Sequence, residues 1–240
     1  MLEIYQKNLI ISPSIADSNG KMSYPAAFDI FMDMAAEHAE FLGLGFEAMA
    51  ANNRFWLTVK TKILYYRRPK MAEQVTVSTW LEPPEKIRCN RCYDIQNNGE
   101  VLAAGKTEWA VIDTVSHTLV PIALVYPKGL KYEKEPPFTD HFSRIPDSFD
   151  ASDTLEEYRV RSTDIDVGKH MNNAAYLRAA FGAFSCSELQ KKEIKSIDAV
   201  FRKSAYEGDV LLLQKKTTEN GLDLRYSMEG ETVFLARIEL

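Results

Sequence analysis

Residues 17–41, DSNGKMSYPAAFDIFMDMAAEHAEF, decide the fold because the chain contains a second version of this stretch. The second version is residues 165–189, IDVGKHMNNAAYLRAAFGAFSCSEL. Each begins with a polar turn around a Gly-Lys pair and continues into a run rich in alanine and aromatic residues, which is typical of a helix. Aligning Gly20 with Gly168 is a shift of 168 − 20 = 148 residues.

Two further pairs of segments follow in the same order. Residues 65–77, YYRRPKMAEQVTV, resemble residues 200–212, VFRKSAYEGDVLL, and residues 101–109, VLAAGKTEW, resemble residues 233–240, VFLARIEL. Each match is weak alone, but the shared order indicates one structural unit that occurs twice.

Each unit is predicted to contain a strand, a long helix and then several strands. In the first unit Ser23 is a candidate N-cap with Pro25 in the first turn, and the helix is expected to end at about Leu42, before Gly43. Its residues are apolar on more than one face, so we expect it to be buried on most sides. After it, residues 55–66 place one apolar face on alternate positions, namely Phe55, Leu57, Val59, Ile63 and Tyr65.

Further strand patterns separated by Pro and Gly complete each unit. Residues 127–153 between the units are rich in proline and charge, which is typical of a linker. We therefore predict an α+β chain with a first repeat at 1–130, a linker at 131–153 and a second repeat at 154–240.

Composition excludes several classes of protein. The 240 residues are 45% hydrophobic and 26% charged with a net charge of −5, which argues against nucleic-acid binding. No run is long and apolar enough for a membrane helix, and the start lacks a signal-peptide pattern. Three cysteines fit a reducing compartment, so we expect a cytoplasmic protein without a membrane partner.

The cysteines are not expected to bind metal. Cys89 and Cys92 form a CxxC in a strand, where residues three apart point to opposite faces. A zinc site needs more ligands than these two, so we predict no metal site. Cys186 is expected to be a small core residue of a helix.

Residues 163–176, TDIDVGKHMNNAAY, combine carboxylates, a histidine and two asparagines ahead of the second helix. A helix N-terminus offers backbone N–H groups and a positive dipole end, which suit a developing oxyanion. A carboxylate there could activate water as a general base or attack a carbonyl directly. An Asx-rich turn with an ordinary N-cap is the alternative interpretation.

The chain resembles the acyl-acyl carrier protein thioesterase family, the bacterial relatives of the plant enzymes that release fatty acids. The resemblance extends over nearly the whole chain and is most specific at DIDVGKHMNNAAY. It implies a double hot-dog fold, in which each of two tandem repeats wraps an antiparallel sheet around a long central helix. It also implies hydrolysis of fatty acyl-ACP to free fatty acid and ACP, without a cofactor.

The resemblance assigns roles within this motif. Asp166 matches the motif acid and is predicted to be the general base or nucleophile, with His170 assisting it. Asn172 or Asn173 is expected to cap the helix and to shape the site, whereas Asp164 is expected to make turn hydrogen bonds.

A comparison of the two repeats favours a catalytic role for the motif over a purely structural one. At a shift of 148 residues the first repeat has Ser18 for Asp166, Met22 for His170 and Tyr24 for Asn172. On this alignment the first repeat has the same predicted fold without an aspartate, a histidine and an asparagine at these three positions. The fold therefore does not require these side chains in the second repeat.

Two positions depart from the plant-type pattern that the resemblance implies. Gly168 stands where those members carry an asparagine, and Ser204 stands where they carry an acidic residue. Gly168 could offer its own N–H instead, because glycine permits a close approach of the backbone. Ser204 could hydrogen-bond a water but cannot act as a base at neutral pH.

Substrate contacts are predicted more coarsely. The acyl chain is expected to lie against large side chains of the first helix, with Phe31 and Met34 as the main candidates and Met32 and Phe41 beside them. An acidic carrier protein with its phosphopantetheine arm would favour a basic surface. The candidates for that surface are Arg67, Arg68, Lys70, Arg202 and Lys203.

Other functions remain open. A hot-dog hydratase would place its Asp five residues before the His, where this chain has Ile165. A hot-dog thioesterase acting on coenzyme A esters, or a noncatalytic acyl-carrier-binding protein, is compatible with the sequence. Either a monomer or a homodimer is expected, because two hot-dogs in one chain mimic the dimer of single ones.

Overall fold

The structure, a computed structural model, describes residues 3–132 and 134–240. The chain forms two compact units, Met1–Asp140 and His141–Leu240. Each contains a long helix and an antiparallel sheet, as predicted for an α+β chain. The repeat and linker boundaries proposed from the sequence stay a prediction.

The described part of the first unit contains two α-helices and six strands. The helices are α1 (Tyr24–Phe41) and α2 (Phe46–Ala50). The strands are β1 (Ile4–Ile10), β2 (Arg54–Tyr65), β3 (Gln74–Leu81), β4 (Cys89–Asn97), β5 (Glu100–Asp113) and β6 (Leu119–Val120). They pair antiparallel in the order β1-β3-β4-β5-β2, with β6 on β5.

The cap and end of α1 agree with the sequence prediction. The Ser23 hydroxyl accepts a hydrogen bond from the amide of Ala26, and Gly43 follows the helix with a φ of 70°. One face of α1 packs on the sheet, where the Phe31 ring stacks on Tyr93 at 4.7 Å between centroids. Gly105 lies against the Phe31 ring, at a distance that leaves no space for a Cβ atom. The sheet and α1 therefore share one tightly packed core.

The predicted apolar face of β2 is wrong in one respect. A bulge lies between Thr58 and Lys60 in the pairing with β5. One extra residue reverses which side of the sheet the following side chains face. Leu57 and Ile63 consequently lie on opposite faces, although an unbroken alternation placed them together.

The second unit repeats this plan with shorter elements. Its helices are α3 (Asn173–Gly182) and α4 (Cys186–Gln190). Its strands are β7 (Thr154–Arg159), β8 (Ser196–Phe201), β9 (Val210–Thr218), β10 (Gly221–Met228) and β11 (Glu231–Glu239). They pair antiparallel in the order β8-β11-β10-β9-β7.

Aromatic rings join α3 to its sheet. Tyr176 stacks on Phe234 at 5.1 Å between centroids, and it also lies within 6.2 Å of the Tyr226 ring. All three side chains are buried. This cluster holds the first turns of α3, and with them the loop that precedes the helix, against the sheet.

Residues 134–138 lie along the outer face of the first sheet. Lys134 Nζ lies 2.7 Å from Oδ2 of Asp94 and 3.6 Å from the centre of the Trp80 ring. Lys106 contacts the Phe138 ring from β5. These contacts hold a stretch that the sequence predicts to be linker.

The cysteines confirm one prediction and contradict another. Cys89 pairs with Trp109 and Cys92 with Lys106, positions of opposite parity on β5, so the two buried thiols face opposite sides of the sheet. The core position expected for Cys186 is wrong, because this residue is exposed at the start of α4.

Candidate active site

The loop before α3 is closed by backbone hydrogen bonds. The amide of Asp166 donates to the carbonyl of His170 at 3.1 Å, and the amide of Lys169 donates back to the carbonyl of Asp166 at 2.9 Å. Lys169 takes a φ of 64°, which is uncommon for a residue with a side chain. The turn brings Asp166 and His170 to the same end of the loop.

The carboxylate of Asp166 points at its own turn and at His170. Its Oδ1 accepts a hydrogen bond of 2.8 Å from the amide of Gly168. His170 Nδ1 lies 3.8 Å from the same oxygen, and the two side chains are 26% and 23% exposed. Oδ2 takes part in neither of these two contacts. The Gly168 amide orients Asp166, and its predicted place in the site, in the position of an asparagine amide, stays a prediction.

Asn172 caps α3, as predicted. Its Oδ1 accepts from the amide of Ala174 at 2.8 Å, and its carbonyl accepts from Ala175 at 2.9 Å. Asn173 is the first residue of the helix and lies at its positive dipole end. The loop therefore places two asparagines and the helix N-terminus next to Asp166 and His170 in sequence and in space.

Asp164 holds the loop from the other side. Its Oδ2 accepts a 2.7 Å hydrogen bond from the hydroxyl of Tyr158 and a 2.8 Å bond from the amide of Arg161. Its carbonyl accepts from the amide of Asn172 at 2.8 Å. Burial, followed by the hydrogen bond to Asp164, raises the pKa of Tyr158 to about 12, so the phenol stays protonated and donates. The structural role predicted for Asp164 agrees with this geometry, but sequence reasoning missed Tyr158.

Tyr176 lies beneath the loop. Burial is the main reason that its pKa lies above the ordinary value, and the negative charges of Asp209 and Asp166 add to the effect. The backbone of Ala205 hydrogen-bonds its hydroxyl and partly offsets this rise. The tyrosine that completes the sequence motif is therefore a protonated core residue, and it helps to position the loop.

The alignment of the two repeats must be corrected by one residue. In the first unit the amide of Asp17 donates to the carbonyl of Lys21 at 2.8 Å, as the amide of Asp166 donates to that of His170. The amide of Asn19 donates to Oδ1 of Asp17 at 2.9 Å, as Gly168 does for Asp166. Asp17, and not Ser18, is thus the counterpart of Asp166, at a shift of 166 − 17 = 149 residues.

The same correction changes the other pairs. Ser23 and Asn172 cap the two long helices, so Lys21 is the counterpart of His170, in place of Met22. The first unit therefore does contain the aspartate, which the turn and an ion pair with Arg68 both hold. What distinguishes the second unit is the histidine and the asparagine cap.

Most of the predicted docking residues are already paired. Arg67 forms two hydrogen bonds with Glu73, Arg202 pairs with Asp147 and Lys203 pairs with Glu231. The Arg68 side chain is only 8% exposed and binds Asp17. Lys70 is exposed. We therefore leave Arg68 out of any docking surface.

The predicted acyl contacts differ in burial. Phe31 and Met34 are buried in the first unit, whereas Phe41 is 62% exposed and packs on Tyr5. The expectation that Phe41 lines a tunnel is wrong. Cavities of about 320, 430 and 580 Å³ are lined by other residues, so the acyl contacts of Phe31 and Met34 stay predictions.

The described residues form neither a metal-binding cluster nor a membrane-spanning helix. Residues 3–132 and 134–240 contain no cluster of histidine, cysteine and acidic side chains that could hold a metal ion. Within the same part of the chain, every helix is too short or too polar to span a membrane.

Two family models match the chain. The acyl-ACP thioesterase N-terminal domain matches residues 3–124, and the acyl-ACP thioesterase C-terminal domain matches residues 148–239. A chloroplastic acyl-[acyl-carrier-protein] hydrolase of Cuphea viscosissima is 23% identical over 225 residues, which cover 87% of this chain and 54% of that protein. The chain thus spans about half the length of the curated relatives that it matches.

Solved structures show the same fold. An acyl-ACP thioesterase from Bacteroides thetaiotaomicron has a TM-score of 0.86 at 20% identity and covers 99% of this chain and 97% of its own. The 12:0-ACP thioesterase from Umbellularia californica has a TM-score of 0.81 at 18% identity, covering 100% and 97%. The predicted double hot-dog fold is confirmed.

Proposed function

The chain belongs to the acyl-ACP thioesterase family, and on this premise we propose that it hydrolyses fatty acyl-ACP to free fatty acid and ACP. The observation that carries the proposal is the loop that presents Asp166 and His170 at the N-terminus of α3. Acyl carrier protein is the proposed partner, and a cytoplasmic location is proposed with it. Whether the chain is a monomer or a homodimer stays a prediction.

In the proposed reaction Oδ2 of Asp166 takes a proton from water while the water oxygen bonds to the thioester carbon. The positive end of α3 and Asn173 stabilise the oxyanion. The tetrahedral intermediate collapses, the C–S bond breaks, and the pantetheine thiolate takes up the proton, with His170 as the relay. The fatty acid and the free thiol leave.

A nucleophilic route uses the same residues. Oδ2 of Asp166 would bond to the thioester carbon and expel the thiolate, which gives a mixed anhydride that water then hydrolyses. Gly168 fixes Oδ1 in both routes. Solvent ¹⁸O found in Asp166 after a single turnover would select the nucleophilic route, provided that water attacks the Asp166 carbonyl of the anhydride.

The test is thiol release from acyl-ACP and acyl-coenzyme A substrates that range from short to long chains. We expect Asp166→Asn to lose at least about 100-fold in turnover, the lower end of what a general base contributes. Asp17→Asn is the matched control, because it makes the same substitution in the equivalent turn of the first unit, where it removes the charge that pairs with Arg68. It should lower the melting temperature and keep turnover. Full turnover in Asp166→Asn would contradict the proposal.

The substrate panel also separates the alternatives. Preference for coenzyme A esters would indicate an acyl-CoA thioesterase. A wild-type protein that binds acyl-ACP but releases no thiol from any ester would indicate an acyl-carrier-binding protein.

A further inference from the structure

The first unit holds its aspartate in an ion pair that the second unit lacks. Arg68 Nη1 donates to Oδ2 of Asp17 and, at 3.0 Å, to the carbonyl of Met22. Its guanidinium also lies 4.2 Å from the centre of the Tyr24 ring. The oxygen of Asp17 that corresponds to the reactive oxygen of Asp166 is therefore occupied by a cation.

Hydrogen bonds identify the counterpart of Arg68. The amide of Met22 donates to the carbonyl of Pro69 at 2.8 Å, and the amide of Met171 donates to that of Ala205 at 2.7 Å. Pro69 therefore corresponds to Ala205, and Arg68 to Ser204. This is a shift of 205 − 69 = 136 residues, and two further pairs of backbone bonds support it. Tyr66 donates to Leu102 as Arg202 does to Val233, and Glu73 accepts from Ile11 as Asp209 does from Val160. The shifts 202 − 66 and 209 − 73 are both 136.

Because residue 204 is a serine, Asp166 has no counterpart of the Arg68 guanidinium beside its carboxylate. In residues 3–132 and 134–240 no lysine or arginine pairs with the Asp166 carboxylate, which lies instead near His170. A guanidinium on a carboxylate stabilises the charged form, weakens it as a base and occupies its lone pairs. The two units thus contain the same turn with and without an arginine on its carboxylate.

We propose that Ser204 is a positioning residue. Because serine carries no guanidinium, the position beside Asp166 that is equivalent to the position of the Arg68 guanidinium in the first unit is left to the substrate, and Asp166 stays reactive. This place is bounded in the second unit by Asp166, the carbonyl of Met171 and Asn173, the counterparts of the three groups that hold Arg68. The attacking water and the thioester carbonyl occupy it during hydrolysis. The inference rests on the proposed thioesterase function and extends it to a residue outside the motif.

The experiment compares Ser204→Arg with Ser204→Met in the full chain. Arginine should recreate the ion pair of the first unit, so we expect turnover to fall at least about 100-fold without a loss in melting temperature. Methionine adds length without charge and should cost much less. In the pH profile of the residual activity, the acidic limb should move to lower pH in Ser204→Arg only.

An equal loss in both variants would assign the effect to steric blocking and overturn the proposal. Wild-type turnover in a folded Ser204→Arg would overturn it as well. A readout that needs no turnover is the titration of the Asp166 carboxyl by ¹³C NMR, assigned with Asp166→Asn. Ser204→Arg should lower the pKa of Asp166. An unchanged pKa would refute the ion pair even if the wild type hydrolyses no thioester.

Discussion

Tyr158, at the end of β7, donates a 2.7 Å hydrogen bond to Asp164, which lies two residues ahead of the candidate catalytic aspartate. The same Asp164 oxygen binds the amide of Arg161, and its carbonyl binds the amide of Asn172. The strand, the loop and the first turn of α3 are thus joined through one residue.

Tyr158→Phe should loosen this loop without removing any reacting group. A hydrogen bond to a charged acceptor contributes about 1.5–3 kcal/mol. If part of this free energy holds the loop in its catalytic alignment, losing it lowers turnover about tenfold. We expect turnover to fall about tenfold with little change in KM. Tyr66→Phe, at an exposed ring of the first unit, is the control. An unaltered rate in Tyr158→Phe would show that the loop needs no such support.

Gly105→Ala should destabilise the first unit. A Cβ at this position would lie 2.5 Å from Cε2 of Phe31, whose ring is held by its stack on Tyr93. Overpacking of this kind typically costs about 1–3 kcal/mol. Gly182→Ala is the matched control, because a Cβ there meets no atom within 4 Å. Urea unfolding should show a lower free energy for Gly105→Ala alone, and equal values for both variants would contradict the packing.

The Arg67–Glu73 pair should give the first unit a defined acid sensitivity. Hydrogen bonds from Arg67, followed by those from the Lys70 amide and Asn97, lower the pKa of Glu73 from 4.5 to about 2. A lowered folded-state pKa means that this stabilisation is complete above about pH 4.5 and is lost as the pH falls towards 2. Because Arg67 is partly exposed, we expect on the order of 1 kcal/mol.

Glu73→Gln is the variant that measures this contribution. Its free energy of unfolding should lie below that of the wild type at neutral pH, and the difference should shrink steadily between pH 4.5 and 2. A difference that stays constant over this range would show that the carboxylate charge is not the cause.

Lys134 should stabilise the first unit through its contact with buried Asp94. Among the residues described, Oδ1 of Asp94 has no hydrogen-bond partner, so Lys134 on Oδ2 is the main compensation for the charge. Lys134→Met should lower the free energy of unfolding by about 1–3 kcal/mol, because it leaves a buried charge unpaired.

A double-mutant cycle separates charge from packing at this contact. Asp94→Asn with Lys134→Met removes both charges and should be less destabilised than Lys134→Met alone. Strictly additive effects would show that the ion pair contributes nothing beyond the two separate side chains.

The sequence predicted the parts of the fold that depend on periodicity and on caps. Ser23 and Gly43 bound the first helix as expected, because these residues act through local backbone geometry. The bulge after Thr58 was not predictable, since an inserted residue changes the pairing and leaves the composition of the strand unaltered.

The candidate site was predictable to the extent that it lies in one segment. Asp166, His170 and Asn172 are close in sequence, so one motif contains them all. The relation of Ser204 to Arg68 depends on the register of two polar turns, and a slip of one residue conceals it. Hydrogen bonds fix this register. In the sequence, Asp17 and Met22 match Asp166 and Met171 at the correct shift, but the Gly-Lys pairs match at the other one.

The counterparts Asp17 and Asp166 give this molecule an internal reference. Since the two turns have the same backbone bonds, the effect of a substitution at Asp17 on the free energy of unfolding measures what the turn and its Arg68 pair contribute to folding. Any additional loss of turnover from the same substitution at Asp166 measures the chemical contribution. Folding and chemistry can thus be measured separately on two copies of one motif in a single polypeptide.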